Sequence, residues 1–414
     1  MRYRITLLAL ACMALQLVSA QYKYDNVSYQ TVYIEDLCAQ LKKYPNHIIL
    51  DVRSKGENSD TSSSANYNIG HMKGAININI SEISARWREL NATKDQPIFV
   101  YCSHSQRSRR VSKILSDSGF THIINVNGAM TEFNLLKNVS VPCVNDLYET
   151  ANTFKILSPA ETAKLISTNK DVFILDVRTD SAFRGISLEE RDNAYGKLKG
   201  SVNIPAESFT PATFDKIPIP QMRDRPILVI DDQGNQSART AKLLTTQGYT
   251  NVNLAFNGLD MWMEAGKKEV PQRENIWIHP HSYSFINSEE FGEKMSTHPD
   301  ALILDVRTVA EFTNQEKQLT YKNRGHIDGA VNIPLSELLG RLNEINNYKG
   351  REIIVYSFNN TPESFTAAKF LADKGFSKVT VLTGGLWNIR WKAANIKGLT
   401  GLMKWVVDVP SDNL

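Results

Sequence analysis

This sequence is short of several things, and each shortage excludes something. Net charge is nearly absent: 47 Lys and Arg against 44 Asp and Glu leave +3, too little to point to nucleic acid or an acidic membrane surface as partner. No apolar run reaches the roughly 20 residues of a membrane-spanning helix. Low-complexity tracts are confined to the short Ser59–Ser64 loop. Histidines do not fall at metal spacing: His71 and His326 each sit alone in a Gly-His-(Met/Ile) turn, so the sequence implies no metal.

Cysteine is also scarce, with four residues at positions 12, 38, 102 and 143. The first falls in a stretch where Arg2 and Arg4 precede an apolar run from Ile5 to Val18, followed by Val18-Ser19-Ala20. That order reads as a secretory signal over residues 1–20, cleaved after Ala20. Lipid attachment at Cys12 is the weaker alternative, the apolar stretch before it being short. The expected destination is the periplasm or the exterior, with no stable membrane insertion after cleavage. Three cysteines then remain where disulfides form, so at least one thiol has no partner within the chain. Cys38 shares a helical face with Ile34, Leu37 and Leu41 and reads as core. Cys143 falls in a linker, where a bond to Cys102 would act as an off-switch.

The chain repeats itself. Leu50-Asp51-Val52-Arg53 returns as Leu175-Asp176-Val177-Arg178 and as Leu304-Asp305-Val306-Arg307, and Gly74-Ala75-Ile76-Asn77 returns as Gly200–Asn203 and Gly329–Asn332. The interval is one domain length. Within each interval short β-branched strands alternate with helices, which predicts an α/β fold: three tandem domains, each a small parallel sheet with helices on both faces. The units are read over residues 22–138, 153–270 and 281–400, with linkers over 139–152 and 271–280 and a tail over 401–414. The Asp-Val-Arg triplets recur in every unit and are read as buried ion pairs that anchor loops.

The most informative stretch is Pro97–Leu115. Ile98, Phe99, Val100 and Tyr101 are unbroken apolar residues, as in a strand covered on both faces. Cys102 ends the run, and Val111, Ile114 and Leu115 recur at helical spacing, so residues 103–108 are read as a loop at a helix N-terminus, where open α/β sheets place ligands. Between Gln96 and Ser116 stand Arg107, Arg109, Arg110 and Lys113 with no carboxylate. A thiol among backbone N–H groups, at the positive end of a helix and beside arginines, is set up to react as thiolate, and the same donors suit an anion.

The segment Cys102-Ser103-His104-Ser105-Gln106-Arg107-Ser108 resembles the active-site loop of rhodaneses, a sulfurtransferase family whose pattern is Cys, four residues, Arg, then Ser or Thr. Leu50–Arg53 resembles the family's strand signature, and Gly70-His71-Met72-Lys73-Gly74-Ala75-Ile76-Asn77 resembles its Gly-His-Ile-x-Gly-Ala-x-Asn segment. One departure is Ser105, where family loops often carry glycine; a serine costs something there if the backbone needs a positive φ. Units two and three place Asp231 and Ser357 at the cysteine position, so neither can form a persulfide.

The resemblance implies a thiosulfate sulfurtransferase. Cys102 would be the catalytic nucleophile, with Ser103, His104, Ser105, Gln106, Arg107 and Ser108 binding the substrate. It would take sulfur from a small anionic donor and pass it to a thiol, cyanide or protein acceptor, with no cofactor. His104 is read as pocket-lining or solvent-facing. A cysteine phosphatase would need arginine at the sixth residue after cysteine, which here is Ser108. The alternative function is an exported persulfide carrier or docking scaffold with little turnover, since two of three sites lack the nucleophile.

Overall fold

The computed structural model describes residues 28–90, 92–210 and 212–410; the signal reading at residues 1–20 and Cys12 lie outside the described residues. In unit one the elements are β1 (Gln30–Val32), α1 (Ile34–Lys43), β2 (Ile48–Asp51), α2 (Lys55–Asn58), β3 (His71–Met72), β4 (Ile76–Asn77), α3 (Ile83–Arg86), β5 (Ile98–Tyr101), α4 (Gln106–Asp117), β6 (Ile123–Val126) and α5 (Ala129–Leu136). Five strands form a parallel sheet in the order β1-β6-β5-β2-β4. β5 lies in the middle, and all four of its residues are buried, which is why its sequence is a continuous apolar run rather than an alternating one.

Units two and three repeat that order strand for strand. Their central strands are Ile227–Ile230 and Ile353–Tyr356, each flanked by the strand that carries the Asp of its Asp-Val-Arg triplet. The three-fold repeat of the sequence is therefore a three-fold repeat of one parallel α/β domain. No helix among the described residues is long and apolar enough to cross a membrane.

The segments read as linkers and tail are in fact parts of the domains. Residues 144–147 form a helical turn, and Tyr148–Glu149 pairs antiparallel with β3. Trp277–Ile278 does the same with Lys197–Leu198, and Val406–Val407, in the supposed tail, with His326–Ile327. The Gly-His turn, Gly196-Lys197 in unit two, starts a short strand edge, and each unit covers that edge with its own exit segment. Gly70 makes the first of these contacts geometrically possible. Its φ is +77°, and a Cβ there would lie 2.5 Å from the Tyr148 ring.

The cysteines also depart from expectation. Cys38 on α1 and Cys143 form a disulfide with Cα atoms 5.8 Å apart. Cys102 is free and buried, so Cys143 is not its off-switch. The helical face that made Cys38 look like core points it at the exit segment, and the bond closes a loop spanning 105 residues around unit one.

The units pack into a closed set. One apolar cluster runs from Phe99, Met130 and Phe133 of unit one to Phe154, Leu254 and Phe256 of unit two. A second joins Leu228 and Trp262 of unit two to Phe285 and Phe365 of unit three. Units one and three meet through polar groups instead. Asn127 Nδ2 donates to Ala394 O at 2.9 Å, Trp391 Nε1 to His104 O at 3.2 Å, and Lys397 pairs with Asp36 at 2.8 Å.

The disulfide yields a direct test. Alkylation of the denatured, unreduced protein labels Cys102 but neither Cys38 nor Cys143. The double variant Cys38→Ser/Cys143→Ser loses about 2–5 kcal/mol of stability, read as a lower melting temperature that added reductant does not lower further.

Candidate functional site

Three of the sequence signatures meet at the carboxyl ends of β2 and β5. Asp51, at the end of β2, and Arg53 form a fully buried ion pair at 2.7 Å, and Arg53 Nη2 also donates to Gly70 O at 2.9 Å. Tyr101 Oη donates to Asp51 at 2.9 Å and accepts from Met72 N. Asn77 Nδ2 donates to the carbonyls of Asp51 and Arg53. The ion pair, the glycine carbonyl and the asparagine recur around Asp176–Arg178 and Asp305–Arg307, while the tyrosine recurs as Tyr356 in unit three and is Ile230 in unit two. These residues hold the frame; the loop that begins at Cys102 stands beside them.

That loop is shorter than its sequence suggests. α4 starts at Gln106, with Ser105 as its N-cap, so only residues 102–105 are loop and Arg107 lies in the first helical turn. Ser105 has φ +73°, so the position does require the left-handed region, at a cost of about 1–2 kcal/mol for a non-glycine residue. Its hydroxyl offsets part of that by accepting from Gly128 N at 2.7 Å. Unit two has Gly234 there instead, with φ +87°, and a Cβ on it would press on Asn257 Cα at 3.1 Å. The loop is clamped from the far side as well, since Met130 N and Thr131 N donate to the carbonyls of Cys102 and Ser103.

Each of the sequence-derived site residues has a distinct place. Cys102 is 1% exposed at the head of the loop. Ser103 Oγ accepts from Arg107 Nη2 at 2.7 Å. Ser108 Oγ donates to Asn125 Oδ1 at 2.7 Å, a bond that ties α4 to β6. Gln106 is exposed. The His104 ring meets Tyr67 edge-on at 6.2 Å, and its carbonyl belongs to the seam with unit three. Burial, with Arg107 nearby, pushes its imidazole down to about 4, so it is neutral at pH 7. Arg109 is buried in that seam too, reaching Asn127 Oδ1 at 2.7 Å and Asn395 Oδ1 at 3.3 Å.

Arg107 is not the unpaired cation that the local sequence suggests. Glu57 of α2, fifty residues away, binds it in a bidentate pair at 2.7 and 2.8 Å. Burial works against the guanidinium charge, but Glu57 and the nearby Cys102 hold it in place. Sequence reading missed Glu57, although a signal was there. Ser54-Lys55-Gly56-Glu57 is a capping box, with Ser54 and Glu57 capping one another. In unit two the box glutamate is replaced by Ala182, and the arginine by Gln236; acid and base are missing together.

The second unit shows what this kind of loop holds. Asp231, at the position of Cys102, is fully buried, and its carboxylate accepts from the backbone N–H groups of Gly234, Gln236 and Ser237 at 2.6, 2.7 and 3.0 Å. Burial and the neighbouring Asp232 push this carboxyl up to about 6, against the pull of those N–H groups. The corresponding N–H groups in unit one belong to Ser105, Arg107 and Ser108. In unit three Ser357 Oγ bonds within its own loop, to Asn359 O and Thr361 Oγ1, and Glu363 replaces the arginine.

Comparison with known proteins agrees with this reading of the repeats. A family model described as Rhodanese-like domain matches residues 34–136, 158–265 and 288–390. The chain is 33% identical over 78 residues to thiosulfate sulfurtransferase PspE of Escherichia coli strain K12, covering 19% of this chain and 68% of that protein. It is 26% identical over 195 residues to 3-mercaptopyruvate sulfurtransferase of the same strain, covering 41% and 67%. With the uncharacterized protein YqhL of Bacillus subtilis strain 168 it shares 30% over 114 residues, covering 28% and 79%.

The Arg107–Glu57 pair makes a pH-dependent prediction. Hydrogen bonds from Arg107 and the cap hold the Glu57 carboxyl, despite its burial, at about 2 instead of 4.5. A carboxyl lowered on folding adds stability that is complete above its unfolded value and is lost as pH falls through its folded one. Arg107 is 28% exposed, so solvent screening reduces the contribution. Glu57→Gln is expected to cost about 1–2 kcal/mol at pH 7, with the deficit shrinking between pH 4.5 and 2. Thermal melts across that range check it, and a deficit independent of pH would refute the pairing.

Proposed function

The chain belongs to the rhodanese-like family in all three of its units, and from that premise we propose that it is a sulfurtransferase working through a persulfide on Cys102. One observation carries the proposal: unit two uses the same loop to hold a buried anion by three backbone N–H groups, and unit one puts a free thiol at that point, beside an arginine. A cradle that stabilises a carboxylate is suited to a thiolate and to the terminal anion of a persulfide.

In the first step the Cys102 thiolate attacks the outer sulfur of thiosulfate. An S–S bond forms at Cys102, the donor's S–S bond breaks, and sulfite leaves with the electron pair. In the second step a thiophilic acceptor such as cyanide attacks the terminal sulfur and leaves as thiocyanate, which restores the thiolate. Two half-reactions through a covalent intermediate give ping-pong kinetics. By their match to the donors around Asp231, the N–H groups of Ser105, Arg107 and Ser108 would hold the sulfur, and the Arg107 side chain would supply positive charge toward the donor's sulfonate end. Ser103 and Glu57 position that arginine. His104 is neutral at pH 7, and its ring packs against Tyr67. Units two and three carry no nucleophile and act as the walls that fix unit one's loop. Export to the periplasm or exterior fits a chain that holds one disulfide and leaves its reactive cysteine outside it.

Thiosulfate:cyanide turnover, with intact mass after thiosulfate treatment, tests this. The wild-type protein is expected to form thiocyanate and to gain one sulfur; Cys102→Ser is expected to do neither. Arg107→Ala should lower kcat/KM about 10–100-fold, the size of a lost charge-assisted hydrogen bond. Mass gain without turnover would replace the enzyme with a persulfide carrier. A reduced protein that shows neither would remove sulfur chemistry from unit one.

A further inference from the structure

The place where the three units meet is a chamber of about 670 Å³, inside the size range of small-molecule sites, about 300–1,000 Å³. Every unit contributes to its wall. Unit one brings Glu132, Leu135 and Leu136 from α5, together with His104; unit two brings Asp260, Met261 and Glu264; unit three brings Asn360, Trp387 and Trp391. Cys102 and Arg107 do not line it, so it is a separate site from the sulfur cradle.

Its ion pairing is lopsided in a specific way. The three cations of the wall are already engaged: Lys392 pairs with Glu289 at 3.4 Å, Lys268 with Glu293 at 2.6 Å, and Arg191 with Glu189 and Asp192 at 3.4 and 3.7 Å. Four wall carboxyls, Glu132, Asp260, Glu264 and Glu269, have no ion-pair partner among the described residues. Two of them are aimed and held by neutral donors. Asn360 Nδ2 donates to Asp260 at 2.9 Å and to Glu264 at 2.8 Å, and Asn388 Nδ2 takes the other oxygen of Glu264 at 2.8 Å. Glu132 is 6% exposed, and its Oε2, buried at the wall, has no hydrogen-bond partner among the described residues. A buried carboxyl oxygen without a partner is costly, and a cation relieves it.

Beside these polar groups the wall has an apolar part, with two indole rings, leucines and methionine. Indole faces attract cations, and apolar walls take the body of an organic molecule rather than a hydrated metal ion. We propose that the chamber between the three units binds a small organic cation, an amine with an apolar body. Its ammonium lies between Glu132 and Glu264 and its apolar part against Trp387 and Trp391. Burial raises Glu132 to about 8, and burial with Asp260 beside it raises Glu264 to about 8, with Lys392 pulling both down; an ammonium between them favours the ionised form of both. The inference does not depend on sulfur transfer.

Titration calorimetry on the full chain tests it with 2-phenylethylamine as probe, beside 2-phenylethanol and phenylacetate as neutral and anionic counterparts of the same shape. Saturable binding of the amine at one site per chain is expected, at least 10-fold tighter than the alcohol, with no binding of the anion. Glu132→Gln and Glu264→Gln, each close in shape to the wild-type side chain and each confirmed folded by its melt, should weaken the amine at least 10-fold. Cys102→Ser should bind it as the wild type does, which separates this site from the sulfur cradle. Absence of amine binding, equal binding of amine and alcohol, or indifference to both glutamine variants would overturn the assignment.

Discussion

The interaction on which the rest depends is the buried Asp–Arg pair at the end of the second strand of each unit. In unit one Asp51 and Arg53 are both fully buried, and removing either partner of such a pair leaves an uncompensated charge at a cost of about 3–5 kcal/mol. The pair is never alone. Arg53 reaches forward to Gly70 O and Tyr101 reaches across to Asp51, while Asn77 ties the same turn to β4. One network therefore fixes where β2 ends, where the Gly-His turn begins and where the head of β5 lies. The proposed nucleophile, Cys102, is the next residue along the chain. This explains why the triplet recurs in units that carry no cysteine there: it serves the sheet, whichever residue follows the central strand.

The three loops compare one backbone with three different centres. Asp231 puts its own negative charge into the ring of N–H groups, so unit two satisfies its cradle internally and leaves no room for an outside anion. Ser357 turns its hydroxyl into bonds within its own loop. Cys102 alone carries a side chain that can accept and release an atom. The facing positions are adjusted to suit. Where the loop bears Ser105, the opposing helix begins at Gly128 and donates to the serine hydroxyl; where the loop bears Gly234, the opposing residue is Asn257. In unit three Asn360 plays the part of Ser105, accepting from Gly384 N at 2.6 Å.

Much of this was legible in the sequence, for identifiable reasons. Repeats expose the fold because Leu-Asp-Val-Arg, Gly-x-x-Asn and the apolar run of β5 are each a local pattern with one structural meaning. The loop around Cys102 is legible because strand, thiol, arginine and helix start are contiguous. What escaped depends on distance. Glu57 meets Arg107 across fifty residues, and the absence of carboxylates between Gln96 and Ser116 says nothing about an acid arriving from α2. Cys38 and Cys143 are joined because the exit segment folds back over α1. The segments read as linkers close their own domains for the same reason: two-residue strands are too short for any period to show.

The seam between units one and three gives the silent domains a physical task. Units one and two, and units two and three, are joined by shared apolar cores, which are tolerant of small shifts. The third contact is polar and directional, and it is made by the reactive loop itself. Trp391 donates to the carbonyl of His104, and Arg109, from the helix that starts at the loop, is buried against Asn127 and Asn395. Hydrogen bonds of fixed geometry constrain a loop more tightly than apolar contact does. The left-handed backbone of Ser105 persists only where its surroundings over-determine it. Unit three is part of those surroundings, so a domain that has lost its own nucleophile still helps to hold the shape of the one that keeps it.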